Sequence, residues 1–199
     1  MPGLAAELIA EFLGTFVLIL FGNGVVAMVQ LFGTGVPGEI VHGGYTNITL
    51  AWGLAVTMGV YIAGKITGGH LNPAVTVSLA VFRGFPWKKV LPYSLAQTFG
   101  AFLAAGVVFW NYLPAFRAFD PQLSHTAGVF TTFPAFSQQP MAGLLDQTIG
   151  TALLLLLVFA ITDERNQPPG ANMTPLMIGL IVVVVGMAFG GMHGYAINP

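Results

Sequence analysis

A chain of 199 residues that is 55% hydrophobic and only 7% charged cannot dress itself in an ordinary solvated surface, which takes about a quarter charged residues. It reads as a helical membrane protein. A net charge of −1 offers no basic stripe to nucleic acid, and the absence of cysteine excludes disulfides, thiolate metal sites and cysteine nucleophiles.

The N-terminus, "MPGLAAELIAEF", has no basic region and runs straight into a long apolar stretch, so the first span is expected to remain in the mature chain. Stretches of about 20 mostly apolar residues mark the spans. The first covers residues 8–29 and the second 45–63. The stretch "GGHLNPAVTVSL" follows, and the apolar piece over 72–82 is too short to cross a bilayer. A third span covers 90–113, and the polar, proline-bearing residues 114–143 read as one long loop. The fourth and fifth spans cover 144–162 and 175–189.

Six basic residues set the orientation: Lys65, Arg83, Lys88, Lys89, Arg117 and Arg165. With a cytoplasmic N-terminus, and with 72–82 entering and leaving by one face, every one except Arg117 lies inside, as the positive-inside rule requires. The short piece is therefore a re-entrant half-span. An internal repeat supports this: "ELIAEFLGT" is echoed by "LLDQTIGT", Gly14-Thr15 by Gly150-Thr151, and "GGHLNP" by "HGYAINP". The expected organisation is a first repeat over 1–113, an extracellular loop over 114–143 and an incomplete second repeat over 144–199. A first repeat of three spans inserts the second upside down, the layout of channels and transporters.

Asn72-Pro73 and Asn198-Pro199 carry the strongest chemical signal. Proline suits the first turn of a helix and asparagine caps it, so each pair opens a half-helix whose positive end points into the membrane. The irregular strands before them, Gly68-Gly69-His70-Leu71 and His193-Gly194-Tyr195-Ala196, must turn backbone carbonyls toward something polar, because lipid cannot satisfy them. Carbonyl acceptors with asparagine donors suit water or a polyol. Glu11, inside the first span, would cost at least about 2.5 kcal/mol facing lipid, so it needs partners. It serves either as a support for the loop or as part of a proton relay.

Together "AEFLGTFVLILFG", "WGLAVTMGVYIAGKITGGHLNPAVTVSLAVF", "QTFGAFLAAGVV", "TAGVFTTFP" and "GYAINP" resemble the major intrinsic proteins, the aquaporins and aquaglyceroporins, over nearly the whole chain. The resemblance implies an all-α, aquaporin-like inverted repeat. Here it has five transmembrane helices and one re-entrant half-helix, in a family whose complete bundle has six spans and two half-helices. It implies a homotetramer with one pore per subunit in the cell membrane, conducting glycerol, water and small neutral solutes passively, with no cofactor or metal. Asn72, Pro73 and Ala74, with Asn198 and Pro199, take the family's pore motifs. Glu11 takes the role of a glutamate that accepts bonds from the first loop. Gln147 stands where relatives have a second glutamate, and His70 matches a loop histidine that donates to nearby backbone.

The family's selectivity ring would use Trp52, Gly186 and Tyr195. Water-selective members usually place a histidine where Gly186 stands; glycine vacates that space, and the long loop also resembles the glycerol-conducting branch. Trp52 and Tyr195 have an alternative reading as anchors in the aromatic belt. His193 touches the pore mouth or merely packs, and His42 and His125 have no metal-ligand spacing. Gly100, Ala104 and Ala105 let helices approach closely. The chain ends inside the second motif, so a longer protein is expected to supply the second half-helix, the sixth span and an arginine three residues beyond Asn198. An ion-coupled transporter is the rival from another class, but besides Glu11 only Asp146 is an acid near a span, and it is expected at an end. A water-selective channel is the rival within the family, and no nucleophile–base pair suggests an enzyme.

Overall fold

A computed structural model describes residues 2–32 and 43–199; His42 lies outside them. Among the described residues the chain forms seven α-helices and one 3-10 turn, without strands. They are α1 (Leu4–Phe32), α2 (Tyr45–Thr67), α3 (Pro73–Phe82), α4 (Trp87–Asn111), α5 (Leu113–Phe119), α6 (Pro140–Thr162) and α7 (Thr174–His193), with the turn at Thr126–Val129. Five of these, α1, α2, α4, α6 and α7, are long and apolar enough to cross a membrane. The ten residues of α3 rise only about 15 Å, half a bilayer core.

The long loop is more ordered than its composition suggests. Pro114 and Pro140 occupy first turns, where proline is tolerated, so they start α5 and α6 instead of breaking the chain. Between them Asp120 is buried and gathers the chain around its carboxylate. It accepts the His125 N–H at 2.6 Å and the Thr126 N–H and hydroxyl at 3.0 and 3.1 Å. Burial pushes this carboxyl up, but the bonds outweigh it and hold it at about 2, so the loop keeps its anchor at any physiological pH. Phe116 beside it packs with Val26, Ala27 and Leu31 of α1, tying the loop to the bundle.

Three glycine contacts bring the long helices close. A Cβ on Gly14 would stand 2.9 Å from the Gly59 carbonyl, and one on Gly59 would stand 2.7 Å from that of Gly14. Gly53 and Gly179 meet in the same reciprocal way where α2 crosses α7. Gly100 lies on the Phe12 carbonyl where α4 crosses α1, and the neighbouring Ala104 is fully buried. Each crossing brings backbone to backbone, an approach that any larger residue would block.

One end of the bundle collects basic residues from α2, from α4 and from the segments after α3 and α6. Lys89 of α4 pairs with Glu7 of α1 at 2.7 Å, and Arg83, just after α3, donates to the Phe159 carbonyl of α6 at 3.1 Å. Asp163 after α6 meets Arg165 at 2.9 Å and Arg83 at 4.0 Å, and the Arg165 guanidinium holds its carboxyl at about 2. Tyr61, one turn before Lys65 in α2, donates to the Asn172 carbonyl ahead of α7. So α3 leaves by the end at which α2 finished. Single cysteines at Lys65 and Arg83 should both react with an impermeant thiol reagent from one and the same side; labelling from opposite sides would contradict the re-entrant path.

Candidate conduction site

Two short loops, 68–72 after α2 and 194–198 after α7, meet inside the bundle. Each helix ends on a left-handed glycine, Gly68 (φ 90) and Gly194 (φ 68), whose N–H returns to the carbonyl one turn back at 2.9 and 3.0 Å. With the two Asn-Pro pairs superposed, Gly69 (φ 70) matches Tyr195 (φ 39), and Leu71 (φ 51) matches Ile197 (φ 41). A left-handed residue other than glycine costs roughly 1–2 kcal/mol, so three such positions in two short loops need support from their surroundings. Leu71 and Ile197 gain theirs by burial, being 2% and 7% exposed.

The asparagines lock the loops together. Asn72 opens α3: its Oδ1 accepts the Ala74 N–H at 2.8 Å and the Val75 N–H at 3.4 Å, with Pro73 in the first turn. Its Nδ2 donates across the pseudo-twofold to the Ile197 carbonyl at 2.8 Å, and Asn198 Nδ2 donates to the Leu71 carbonyl at 3.0 Å. The positive end of α3 therefore abuts the second loop.

Behind the first loop stands Glu11, fully buried. Its Oε1 accepts the His70 N–H at 3.0 Å and the Thr67 hydroxyl; its Oε2 accepts the Leu71 N–H at 2.8 Å and Gln97 Nε2 at 2.7 Å. Both oxygens are engaged by donors, the arrangement of a loop support. Gln147 does the corresponding work with a neutral amide: Oε1 accepts the Ile197 N–H at 3.0 Å and Nε2 donates to the His193 carbonyl at 3.1 Å. Thr67, Thr76 and Gln97 complete the first network. Gln97 also donates to Thr76 Oγ1 at 3.2 Å, and Thr76 donates to the Asn72 carbonyl at 3.0 Å.

Several expectations need correction. His70 bonds to a side chain, not to backbone: with the Thr76 proton given to Asn72, Nδ1 is the donor to Thr76 Oγ1 at 3.1 Å, and the ring packs on Phe85 and Tyr93. His193 is the last residue of α7, not part of an irregular strand, because the left-handed cap falls at Gly194. The carbonyls of His193 and Leu71 already accept protein donors, from Gln147 and Asn198. Asp146 lies inside α6, nine-tenths buried, rather than at its end, because the helix begins back at Pro140.

The room over Gly186 is not empty. A Cβ there would stand 2.7 and 2.8 Å from Cζ and Cε2 of Tyr195, and 3.1 Å from Thr49 Cγ2. Glycine thus makes space for the Tyr195 ring. Trp52, half-buried, lies across Gly22 of α1 and packs on the cluster of Leu154, Ile181, Val182, Val185, Tyr195 and Ile197.

The family model for major intrinsic proteins matches residues 2–199. The chain belongs to that family. Among major intrinsic proteins it is 40% identical to Aquaporin-10 of Milnesium tardigradum over 98% of this chain and 48% of that protein. It is 39% identical to Aquaglyceroporin-2 of Rhizophagus irregularis, over 96% of this chain and 61% of the relative. The aquaglyceroporin from Plasmodium falciparum superposes with a TM-score of 0.85 at 32% identity, covering 99% of this chain and 77% of that one. The chain therefore has the aquaporin fold, and it spans about half to three-fifths of the length of these two curated relatives.

Proposed function

We propose that the full-length protein is a passive channel for glycerol, water and other small neutral solutes. On this reading it sits in the cell membrane as a homotetramer, with the N-terminus cytoplasmic and one pore per subunit. The observation that carries the reading is the reciprocal contact of Asn72 and Asn198 at the meeting of the two loops. Each Nδ2 spends one N–H on the opposite loop and keeps the other for a passing hydroxyl. The remaining acceptors are backbone carbonyls, of which Gly68, Gly69, His70 and Gly194 are the candidates beside Leu71 and His193. A polyol both donates and accepts, so it can exchange its water for this lining.

Ions fare differently. The positive end of α3 and the asparagine donors make the junction unfavourable for cations, and a water at the junction turns its oxygen toward them, which interrupts a proton wire. Glycerol over water is favoured by glycine at 186 with Trp52 and Tyr195 beside it, an aromatic corner along which a carbon backbone can slide. The Rhizophagus and Plasmodium relatives, both named aquaglyceroporins, agree with that branch. An ion-coupled transporter fits less well, because both oxygens of Glu11 are taken up by donors, among them the two loop N–H groups.

The test uses the full-length protein in liposomes. Glycerol and water swelling should be fast and unchanged by pH or sodium gradients. Voltage clamp should show no proton current comparable to solute flux. A flux that depends on either gradient would reject the channel in favour of a coupled transporter.

A further inference from the structure

The Tyr195 ring belongs to a buried apolar cluster, but no hydrogen bond of its own fixes it. Its backbone is left-handed (φ 39), and its buried hydroxyl makes no hydrogen bond among the described residues. Its place is set by a notch in α7. Gly186 and Gly190 are one helical turn apart and so share a face. The ring lies lengthwise across them: a Cβ on Gly190 would stand 3.0 Å from Tyr195 Cδ1, and one on Gly186 2.7 Å from Cζ. The outer end of the notch is occupied by a second tyrosine from another helix. Tyr45, the first residue of α2, directs its hydroxyl onto Gly190, where any side chain would collide with it. That hydroxyl donates to the Gly186 carbonyl at 2.8 Å, and the Tyr45 ring meets Tyr195 edge-on at 6.4 Å and 87°. Tyr45 is 47% exposed where Tyr195 is 8% exposed, so it stands between the buried ring and the outside.

We propose that Tyr45 is a positioning residue for the constriction: it holds the Tyr195 ring in the Gly186–Gly190 notch and thereby sets the largest polyol that passes. The inference rests on the channel reading above. With Tyr45 in place, Tyr195 cannot swing outward, because the notch floor is helix backbone and the outer side is closed by a ring that is itself bonded to α7. Removing Tyr45 frees the outward path and widens the narrowest ring. Water and glycerol already fit, so the gain falls on longer polyols.

The experiment measures permeability of the full-length protein in liposomes to water, glycerol, erythritol and xylitol, for wild type, Tyr45→Ala and Tyr45→Phe. Tyr45→Ala should raise the erythritol-to-glycerol ratio by about fivefold, the scale expected from losing an edge-to-face contact and the bond that aims it, with water flux changed by less than about twofold. Tyr45→Phe keeps the ring and loses only the bond to Gly186, so its ratio should move the same way but less. A purely architectural role would lower all the fluxes by one common factor; that result, or an unchanged ratio in Tyr45→Ala, overturns the assignment. If wild type passes neither glycerol nor water, the channel reading itself fails. If wild type conducts and only the ratio stays still, the channel stands and Tyr45 alone is wrongly placed.

Discussion

Replacing Glu11 by alanine is expected to be the most damaging single change in the first half of the chain. The carboxylate is fully buried and satisfies the His70 and Leu71 N–H groups, the Thr67 hydroxyl and the Gln97 amide. Its removal strands three donors in a region that water does not reach freely, while the Thr67 hydroxyl can turn to the Ala63 carbonyl at 3.2 Å. At about 1 kcal/mol each, a low figure for buried groups, the loss is about 3 kcal/mol. For a bundle of this size that corresponds to a fall of order 10 °C in the thermal midpoint in detergent. Glu11→Gln should recover part of it, because one oxygen still accepts two donors while the new NH2 faces the other two. Gln147→Ala removes only one accepted and one donated bond and should cost less, about 2 kcal/mol. The order of midpoints should be wild type, then Gln147→Ala, then Glu11→Ala. Equal losses at the two positions would mean that the carboxylate's extra bonds contribute nothing.

That asymmetry was only partly legible in the sequence. An acid inside an apolar span must have partners, so Glu11 and its echo Gln147 stood out, and the Asn-Pro pairs marked the start of α3 to within a residue. Gln97, Thr67 and Thr76 did not stand out. They lie on helices apolar enough all round that no periodicity reveals which way a given residue faces, and only packing fixes that rotation. Pro114 has the look of a breaker, as proline does wherever it falls, although the first turn of a helix accepts it. Pairing His193 with Gly68 is one residue out of register: α7 runs through His193 and its left-handed cap, the counterpart of Gly68, is Gly194. Nothing in the identity of Tyr195 announces a left-handed backbone. Its match to Gly69 becomes visible only when the two loops are superposed, and it is this conformation that lays the ring over Gly186.

Gly186→His should therefore lower glycerol permeability through Tyr195 as much as through its own bulk. A Cβ at this position already falls 2.7 Å from Cζ and 2.8 Å from Cε2 of the tyrosine ring, and both atoms belong to a rigid group. The ring cannot sink further, because the floor of the notch is the backbone of α7. It cannot retreat outward while Tyr45 is bonded to the Gly186 carbonyl. It must move toward Trp52 and the space a solute would use, and the imidazole follows it. Water, the smaller permeant, can still pass a narrowed ring and can bond to the new nitrogen. Glycerol loses its aromatic corner and meets a steric barrier. Glycerol permeability of the full-length protein in liposomes is expected to fall by about tenfold or more, equivalent to ~1.4 kcal/mol of added barrier, with water changed much less. Gly186→Ala should show a smaller effect in the same direction, since its single methyl already reaches the ring. The double variant Gly186→His with Tyr195→Ala separates the two contributions. If displacement of the ring dominates, removing the ring restores much of the glycerol flux. If both solutes fall together in Gly186→His, or neither moves, then Gly186 does not border the path and the glycerol assignment loses its main structural argument.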